Sequence, residues 1–389
     1  MPTATNHCRI CGNTNLIKVL DLGEQSLTGV FPRSKDQPIT RGPLQLLKCH
    51  DEAGADICGL LQLAHSYNLD EMYGDNYGYR SGLNPSMVRH LHGKVARILG
   101  VDCLSQGDLI VDIGSNDSTT LQAYPTGLYK LAGIDPTGSK FKRHYPPHIE
   151  LIPDFFSLEK FRAHFGAQKA KVVTSFSMFY DLEAPMDFMR EVRDILHPEG
   201  IWVFEQSYMP TMLERNSYDT VCHEHLEYYA LRQIKWMADK VGLRIVDVEF
   251  NDINGGSFSV TAAHADSAYP ACKILDELLD REVCLGLDTL EPYVAFAKRV
   301  ADSRRELLDF LRHAHSEGKR VVALGASTKG NVVLQYCGVT ENQISCVGEV
   351  NQDKFGSFTP GTLLPIFSEN AVLAQNPDFL LVLPWHFRE

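Results

Sequence analysis

The sequence predicts an α/β protein in three parts: a small cysteine-clasped N-terminal domain, a central Rossmann-like domain and a C-terminal Rossmann-like α/β domain. Three observations carry this. The first is a pair of cysteine pairs, Cys8 and Cys11 in CRICGN and Cys49 and Cys58 in LLKCHDEAGADICGLLQL. The second is GDLIVDIGSNDSTTLQAY, a short apolar strand, a glycine turn and a helix. The third is the return of that grammar in EGKRVVALGASTKGNVVLQYCG. The expected boundaries are 1–70, 71–265 and 266–389.

The N-terminal part comes first. Four thiolates on two loops suit a tetrahedral structural zinc. Cys8-x-x-Cys11 has the tight spacing of a knuckle, with Gly12 placed for its turn. The second knuckle is longer, and His50 is an alternative ligand. The other six cysteines (103, 222, 272, 284, 337 and 346) are scattered and read as small apolar fillers. With 389 residues, 44% hydrophobic and 22% charged, the chain has the composition of an ordinary globular protein. A formal net charge of -12 argues against nucleic acid or an anionic membrane as partner. No apolar run reaches the length of a membrane span and no signal-like segment opens the chain, so a cytoplasmic protein is expected.

In the central part, strand 109–113 ends in Asp112-Ile113-Gly114-Ser115-Asn116, and YKLAGIDPTG supplies a second strand ending at Asp135. Further strands follow in AKVVTSFSMFYDLEAP and GIWVFEQ. Ligand groups at the carboxyl ends of such strands are the nucleotide-site logic of open α/β sheets. NAD would want G-x-G-x-x-G, which is absent. S-adenosylmethionine has no phosphate and suits a single-glycine turn. Its amino-acid end would lie over Gly114 with Asp112 near the ammonium, its ribose on Asp135, and its adenine against Phe155 and Phe156. Ser115, Asn116, Pro136 and Ser175 complete the expected cofactor set.

In the C-terminal part, the reading places a strand at Val321–Leu324, a turn at Gly325–Gly330 and a helix from Asn331. Lys329 then stands at a helix N-terminus, a site for a diphosphate. Ser327, Asn331, Glu349, Asn351 and Lys354 are the other expected substrate contacts there. PDFLLVLPW reads as a buried strand, and two helices are expected between 269 and 318. His90 and His92 read as helix-surface residues, DINGGSFSV as a tight turn near the cleft with Asn254 within reach of substrate, and Asp181 and Glu183 as groups at the carboxyl edge of the sheet.

CHEH, 222–225, is not a metalloprotease helix. Its histidines are two apart, whereas a shared helical face needs four. Taken with CRICGN, DLGEQSLTGVFP, YGDNYGYRSGLNPSM, DIGSND, SFSMFYDLEAP, HEHLEYY, NGGSFSV, GASTKGNVVLQYCG, PGTLLPI and LVLPWHF, it makes the chain resemble the NDP-sugar C-methyltransferases of the mycarose and tetronitrose type. The resemblance implies S-adenosylmethionine and structural zinc as cofactors and a dTDP- or GDP-linked 4-keto-6-deoxy sugar as substrate, methylated at a ring carbon, usually C3. Carbon methylation beside a ketone needs a base for the C–H and a donor for the enolate oxygen. His225 is the expected base, with Glu224 orienting it or replacing it. Tyr77 and Tyr79 are the expected hydroxyl donors, and Arg80 and His223 further substrate contacts. A monomer or homodimer is expected. The alternatives are transfer to oxygen or nitrogen of a sugar or small metabolite, and a non-catalytic S-adenosylmethionine-binding protein. Two positions depart from the family pattern: Cys222 stands for a tyrosine and Ser118 for a glycine. Relatives also continue beyond PWHFRE into a further helix.

Overall fold

The computed structural model describes residues 2–51, 56–73, 79–101 and 103–385. Alternating burial along Arg41–Cys49 (β2) is the signature of a strand with one face on a core. It pairs antiparallel with Leu16–Ser26 (β1), Leu16 opposite Cys49, and with Leu61–Leu63 (β3) on its other side. Cys49 thus closes β2 while Cys58 leads into β3.

Helix α1 (Pro85–Leu99) starts where Asn84 caps Ser86 N and Pro85 fills the first turn. The central sheet follows: β4 (Leu109–Ile113), β5 (Lys130–Ile134), β6 (Ile149–Ile152), β7 (Ala170–Phe176) and β8 (Leu196–Ser207), with helices α2 (Leu158–Phe165) and α3 (Pro185–Ile195) between. Beyond β8 the chain forms a two-residue strand β9 (Glu227–Tyr228), helix α4 (Leu231–Val241), β10 (Leu243–Asn251) and β11 (Ser257–His264). The sheet order is β10-β11-β8-β7-β4-β5-β6; the five strands from β8 onward in that order are parallel, and β11 is antiparallel to both neighbours. All five residues of β4 are buried, as a parallel strand covered on both faces requires. Trp202 stacks on Phe204 at 4.0 Å and meets Phe179 edge-on at 5.5 Å, forming the aromatic centre of the core.

β9 does not join that sheet. It pairs antiparallel with β3 of the cysteine domain, Glu227 opposite Gln62 and Tyr228 opposite Leu61. The central chain therefore reaches across and completes the N-terminal sheet.

Two helices, α5 (Leu275–Cys284) and α6 (Glu291–Ser316), lead to the last domain. There β12 (Val321–Leu324), α7 (Thr328–Cys337), β13 (Val347–Glu349), β14 (Ile366–Ser368) and β15 (Phe379–Val382) make a parallel sheet in the order β14-β13-β12-β15. Three expectations are corrected. Helix α7 begins at Thr328 rather than Asn331, because Ser327 Oγ accepts Gly330 N and starts the helix earlier. β15 is not buried: it is an edge strand paired to β12 alone, and Phe379, Leu380 and Val382 are 38–47% exposed. His90 is not a surface residue. Its Nε2 lies 2.5 Å from Glu205 Oε1, while Lys94 Nζ is 2.8 Å from Glu205 Oε2 and 2.8 Å from Glu249 Oε2. Asn251 Nδ2 also donates to Glu205 (2.7 Å). Burial would raise Glu205, but His90 and Lys94 hold it below the ordinary carboxylate range. Among the described residues no helix is long and apolar enough to cross a membrane.

Glu205→Ala strips this buried network of its acceptor and leaves Lys94 with Glu249 alone. The expected cost is about 3 kcal/mol, read as a lowered urea midpoint at unchanged slope.

Candidate active site and metal centre

The sulfur atoms of Cys8, Cys11, Cys49 and Cys58 lie within 4.8 Å of one another. Cys8 is 3.4 Å from Cys58 and Cys11 is 3.6 Å from Cys49; a zinc with Zn–S near 2.3 Å asks for tetrahedral S···S edges of about 3.8 Å. Both loops turn on a left-handed glycine directly after a cysteine, Gly12 (φ 74) and Gly59 (φ 68). Asn13 Nδ2 reaches Cys49 Sγ at 3.4 Å. Lys48 donates to the carbonyls of Cys49 (3.1 Å) and Gly59 (2.7 Å), and burial and Arg232 push it down to about 8. The four-cysteine set, without His50, fits a structural zinc.

The central sheet builds the second centre. Gly114 has φ 77, and a Cβ there would lie 2.9 Å from Met178 Cγ, so both the turn and the close approach of the Met178 side chain beyond β7 favour glycine. Asp112 is buried at the end of β4, where Oδ1 accepts Thr174 Oγ1 (2.5 Å), and burial pushes its carboxyl up to about 7. Ser115 Oγ meets Tyr145 OH at 2.7 Å. Asp135 already holds three protein donors: Asn116 N (2.8 Å), Thr137 N (2.7 Å) and Thr137 Oγ1 (2.5 Å). Its neighbour Pro136 is half-buried. Arg80 and Tyr79 sit on this same loop. Ser81 N donates to Asn116 Oδ1 (2.9 Å), Gly82 N to Asp117 Oδ2 (3.0 Å), and Asn116 Nδ2 to Tyr79 O (3.3 Å). Arg80 lies 3.7 Å from Asp117 and 2.7 Å from His144 Nε2. Phe155 is exposed, whereas Phe156 packs on Phe188 at 5.3 Å. Ser175 faces the core, where its Oγ accepts Trp202 Nε1 (2.9 Å). Tyr77 lies outside the described residues.

The third centre is the junction of all three domains. His225 Nδ1 lies 2.9 Å from the Thr220 carbonyl. A carbonyl only accepts, so Nδ1 carries the proton and Nε2 keeps its lone pair. The ring packs on Tyr180 at 4.3 Å. Burial, with help from Lys329, pushes His225 down to about 3, so it is neutral. The partner that orients it is thus Thr220, not Glu224. Glu224 Oε2 instead faces Thr28 Oγ1 at 3.3 Å, and burial raises its carboxyl. His223 is fully buried, edge-on to Tyr67 at 4.6 Å, and pushed down to about 3 by burial. Lys329 Nζ donates to Asn254 O (2.8 Å), and burial lowers it. Asn254 itself is left-handed (φ 55) and lies beside Ser177, Nδ2 to Oγ 3.5 Å. Asp181, which the sequence left undecided, accepts Tyr73 OH (2.8 Å); its other oxygen is buried without a partner, and burial raises it well above the carboxylate range.

Ser327 caps α7, and Asn331 is buried with Nδ2 on Thr28 O (2.8 Å). Glu349 accepts the amides of Val350 (2.7 Å) and Asn351 (2.9 Å), and Asn351 Oδ1 accepts Asp353 N (3.0 Å). Lys354 donates to Ala326 O (2.7 Å) over the Phe31 ring. The structure therefore gathers Glu224, His225, Asn254 and Lys329 at one place and the Gly114 loop with Arg80 at another. Thr28 and Thr174 lie in quoted segments without an expected role, Tyr145 and Thr220 lie outside them, and only the fold brings the four in.

Two measurements test these centres. Untreated protein is expected to carry one zinc per chain by elemental analysis, and Cys58→Ser to lose it together with at least about 3 kcal/mol of stability. An S-adenosylmethionine ammonium favours ionised Asp112, which is protonated below about pH 7 in the free protein. Affinity is therefore expected to fall with pH below 7, by up to about tenfold per unit, and Asp112→Asn to flatten the profile; calorimetry at pH 6, 7 and 8 reads both.

The comparisons with known proteins agree with this layout. Three family models match in series: a zinc binding domain over residues 8–73, a methyltransferase domain over 86–248 and a C-methyltransferase C-terminal domain over 252–389. The C-methyltransferase NovU of Streptomyces niveus is 28% identical over 387 residues, 98% of this chain and 90% of that protein. Among solved structures, the CcbJ methyltransferase of Streptomyces caelestis aligns at TM-score 0.35 and 13% identity, over 45% of this chain and 89% of that one. A toxoflavin-pathway N1-methyltransferase of Burkholderia thailandensis aligns at TM-score 0.35 and 8% identity, over 46% and 78%. The chain thus joins a four-cysteine zinc domain to an S-adenosylmethionine-binding methyltransferase domain, and along nearly its whole length it resembles the C-methyltransferase NovU.

Proposed function

We propose that the chain methylates a ring carbon, C3, of a dTDP- or GDP-linked 4-keto-6-deoxy sugar. The observation that carries this is His225: a neutral imidazole with Nδ1 fixed on Thr220 and Nε2 free, in a buried junction beside Lys329. Such a group is a base for a C–H made acidic by the neighbouring ketone. Its basicity is low first because it is buried and then because the Lys329 ammonium, only partly offset by Asp219, stands near it. A diphosphate at Lys329 and the N-terminus of α7 neutralises that charge, so substrate binding itself raises the basicity of His225. Glu224, raised by burial, is the second proton-transfer group. The segment of Tyr79 and Arg80 is held on Asn116 and Asp117 beside the proposed cofactor loop, and Tyr79 is the donor proposed for the enolate oxygen. Bound S-adenosylmethionine supplies the electrophilic methyl group; Asp112, the Gly114 turn and Asp135 would hold it. Asn254, Ser327, Asn331, Glu349, Asn351 and Lys354 are the proposed sugar-nucleotide contacts.

The test mixes the protein and S-adenosylmethionine with dTDP- and GDP-linked 4-keto-6-deoxy sugars in deuterated water and follows them by mass spectrometry. Methyl gain with loss of the C3 proton is expected on one sugar. Methyl gain without exchange at carbon would replace this reading by an O-methyltransferase. His225→Ala is expected to lose at least about 100-fold in turnover with S-adenosylmethionine affinity kept; unchanged turnover would remove His225 from the chemistry.

A further inference from the structure

The segment Ser26–Phe31 runs from the zinc domain through the three-domain junction. Thr28 is fully buried there. Its carbonyl accepts Asn331 Nδ2 of helix α7 (2.8 Å), and its hydroxyl lies 3.3 Å from both Glu224 Oε2 and His223 Nδ1. The next residue is Gly29. Its φ lies outside the left-handed region, so the backbone does not need glycine. The space does. A Cβ on Gly29 would sit 2.2 Å from Glu224 Oε1, 3.4 Å from Glu224 Cδ and 3.4 Å from Thr328 Oγ1.

A glycine that the local conformation does not require marks a close approach. What approaches here is neither backbone nor a core side chain but the tip of one carboxylate. We propose that Gly29 is a positioning residue: the missing Cβ is the seat of the Glu224 carboxylate, so the N-terminal domain fixes where that acid stands in the cleft. This rests on the reading that Glu224 takes part in proton transfer. Thr28 completes the seat. The Thr28 hydroxyl donates to Glu224 Oε2, and its oxygen lies 3.3 Å from His223 Nδ1. The zinc domain thereby adds a wall and a donor to a site otherwise built by the other two domains.

The proposal separates folding from function. A methyl at Gly29 meets the far end of a movable side chain, so the chain can fold and Glu224 must move. Displacement of a proton-transfer group by about 1 Å costs on the order of 100-fold in rate. Gly29→Ala is therefore expected to keep its zinc, its melting temperature, its S-adenosylmethionine affinity and its KM for the sugar nucleotide, while kcat falls by about 10- to 100-fold.

The decisive comparison is a cycle with Glu224→Ala, where the methyl has room. Turnover is measured with S-adenosylmethionine and the sugar nucleotide that gains a methyl in the panel above. Gly29→Ala is expected to add no further loss in the Glu224→Ala background. Wild-type turnover in Gly29→Ala, with Glu224→Ala impaired, overturns the seat and leaves the role of Glu224 standing. An equal additional loss from Gly29→Ala in both backgrounds also overturns it. Wild-type turnover in Glu224→Ala removes the underlying reading. Should Gly29→Ala fail to fold, the double variant decides: folding like Glu224→Ala shows that the clash runs through this carboxylate, and failing as well shows that it does not.

Discussion

The site depends on two residues of β-sheet. Glu227 and Tyr228 leave the central domain and pair with Gln62 and Leu61 of the zinc domain. Leu63 N reaches Leu226 O (2.8 Å) and Leu226 N reaches Tyr180 O (2.7 Å) on the methyltransferase side, so the strand is held from both directions. Strand register is an all-or-none property, because a slip of one residue turns every side chain to the opposite face. CHEH immediately precedes this strand, so the pairing decides where Glu224 and His225 stand. The cysteine cluster belongs to the same template: Cys49 ends β2 and Cys58 leads into β3, so a zinc held by the four cysteines would tie both strands to Cys8 and Cys11. The four-cysteine domain and the CHEH segment are thus joined by a hydrogen-bond ladder.

The junction is also electrostatically unfinished. Lys329 is lowered, His225 is lowered, and Glu224 and Asp181 are raised, each first of all by burial. Groups with acid and base functions therefore all lean towards neutrality in one low-dielectric place. An anionic ligand at Lys329 reverses part of this at once, since it favours the charged ammonium and removes the cation that opposes protonation of His225.

Much of this was legible in the sequence. Cysteine pairs gave the metal cluster because its chemistry is a spacing rule. The strand and turn of DIGSND gave the Gly114 loop because a left-handed φ and a close approach leave a glycine behind. What escaped was long-range. Nothing in SLTGVF announces that Thr28 meets Glu224, 196 positions away, and no motif carries Thr220 as the partner of His225. PDFLLVLPW has the apolar run of a buried strand, yet β15 lies at a sheet edge, and apolarity alone does not say which strand is central. His90 reads as surface in the sequence because its partner, Glu205, belongs to a strand far along the chain.

The two departures from the family pattern now have a physical account. Ser118 takes φ 63, a conformation that costs a non-glycine residue about 1–2 kcal/mol. Its hydroxyl offsets this by donating to His144 O (3.0 Å) and accepting from Gln122 Nε2 (2.9 Å), so the loop keeps the shape a glycine would give. Cys222 is different. Its thiol is fully buried and driven well above its ordinary range by burial and by Glu224 and Asp181, which makes it a neutral wall and not an acid–base group. The neighbouring phenols of Tyr228 and Tyr229 are both buried, Tyr228 with its hydroxyl 3.5 Å from Thr220 O and Tyr229 stacked on Phe179 at 5.4 Å. The carboxylates of Glu224 and Asp181 stand near the buried Cys222 thiol, and Glu224 faces the Thr28 hydroxyl at 3.3 Å, so the charge and position of that carboxylate shape the surroundings of residue 222.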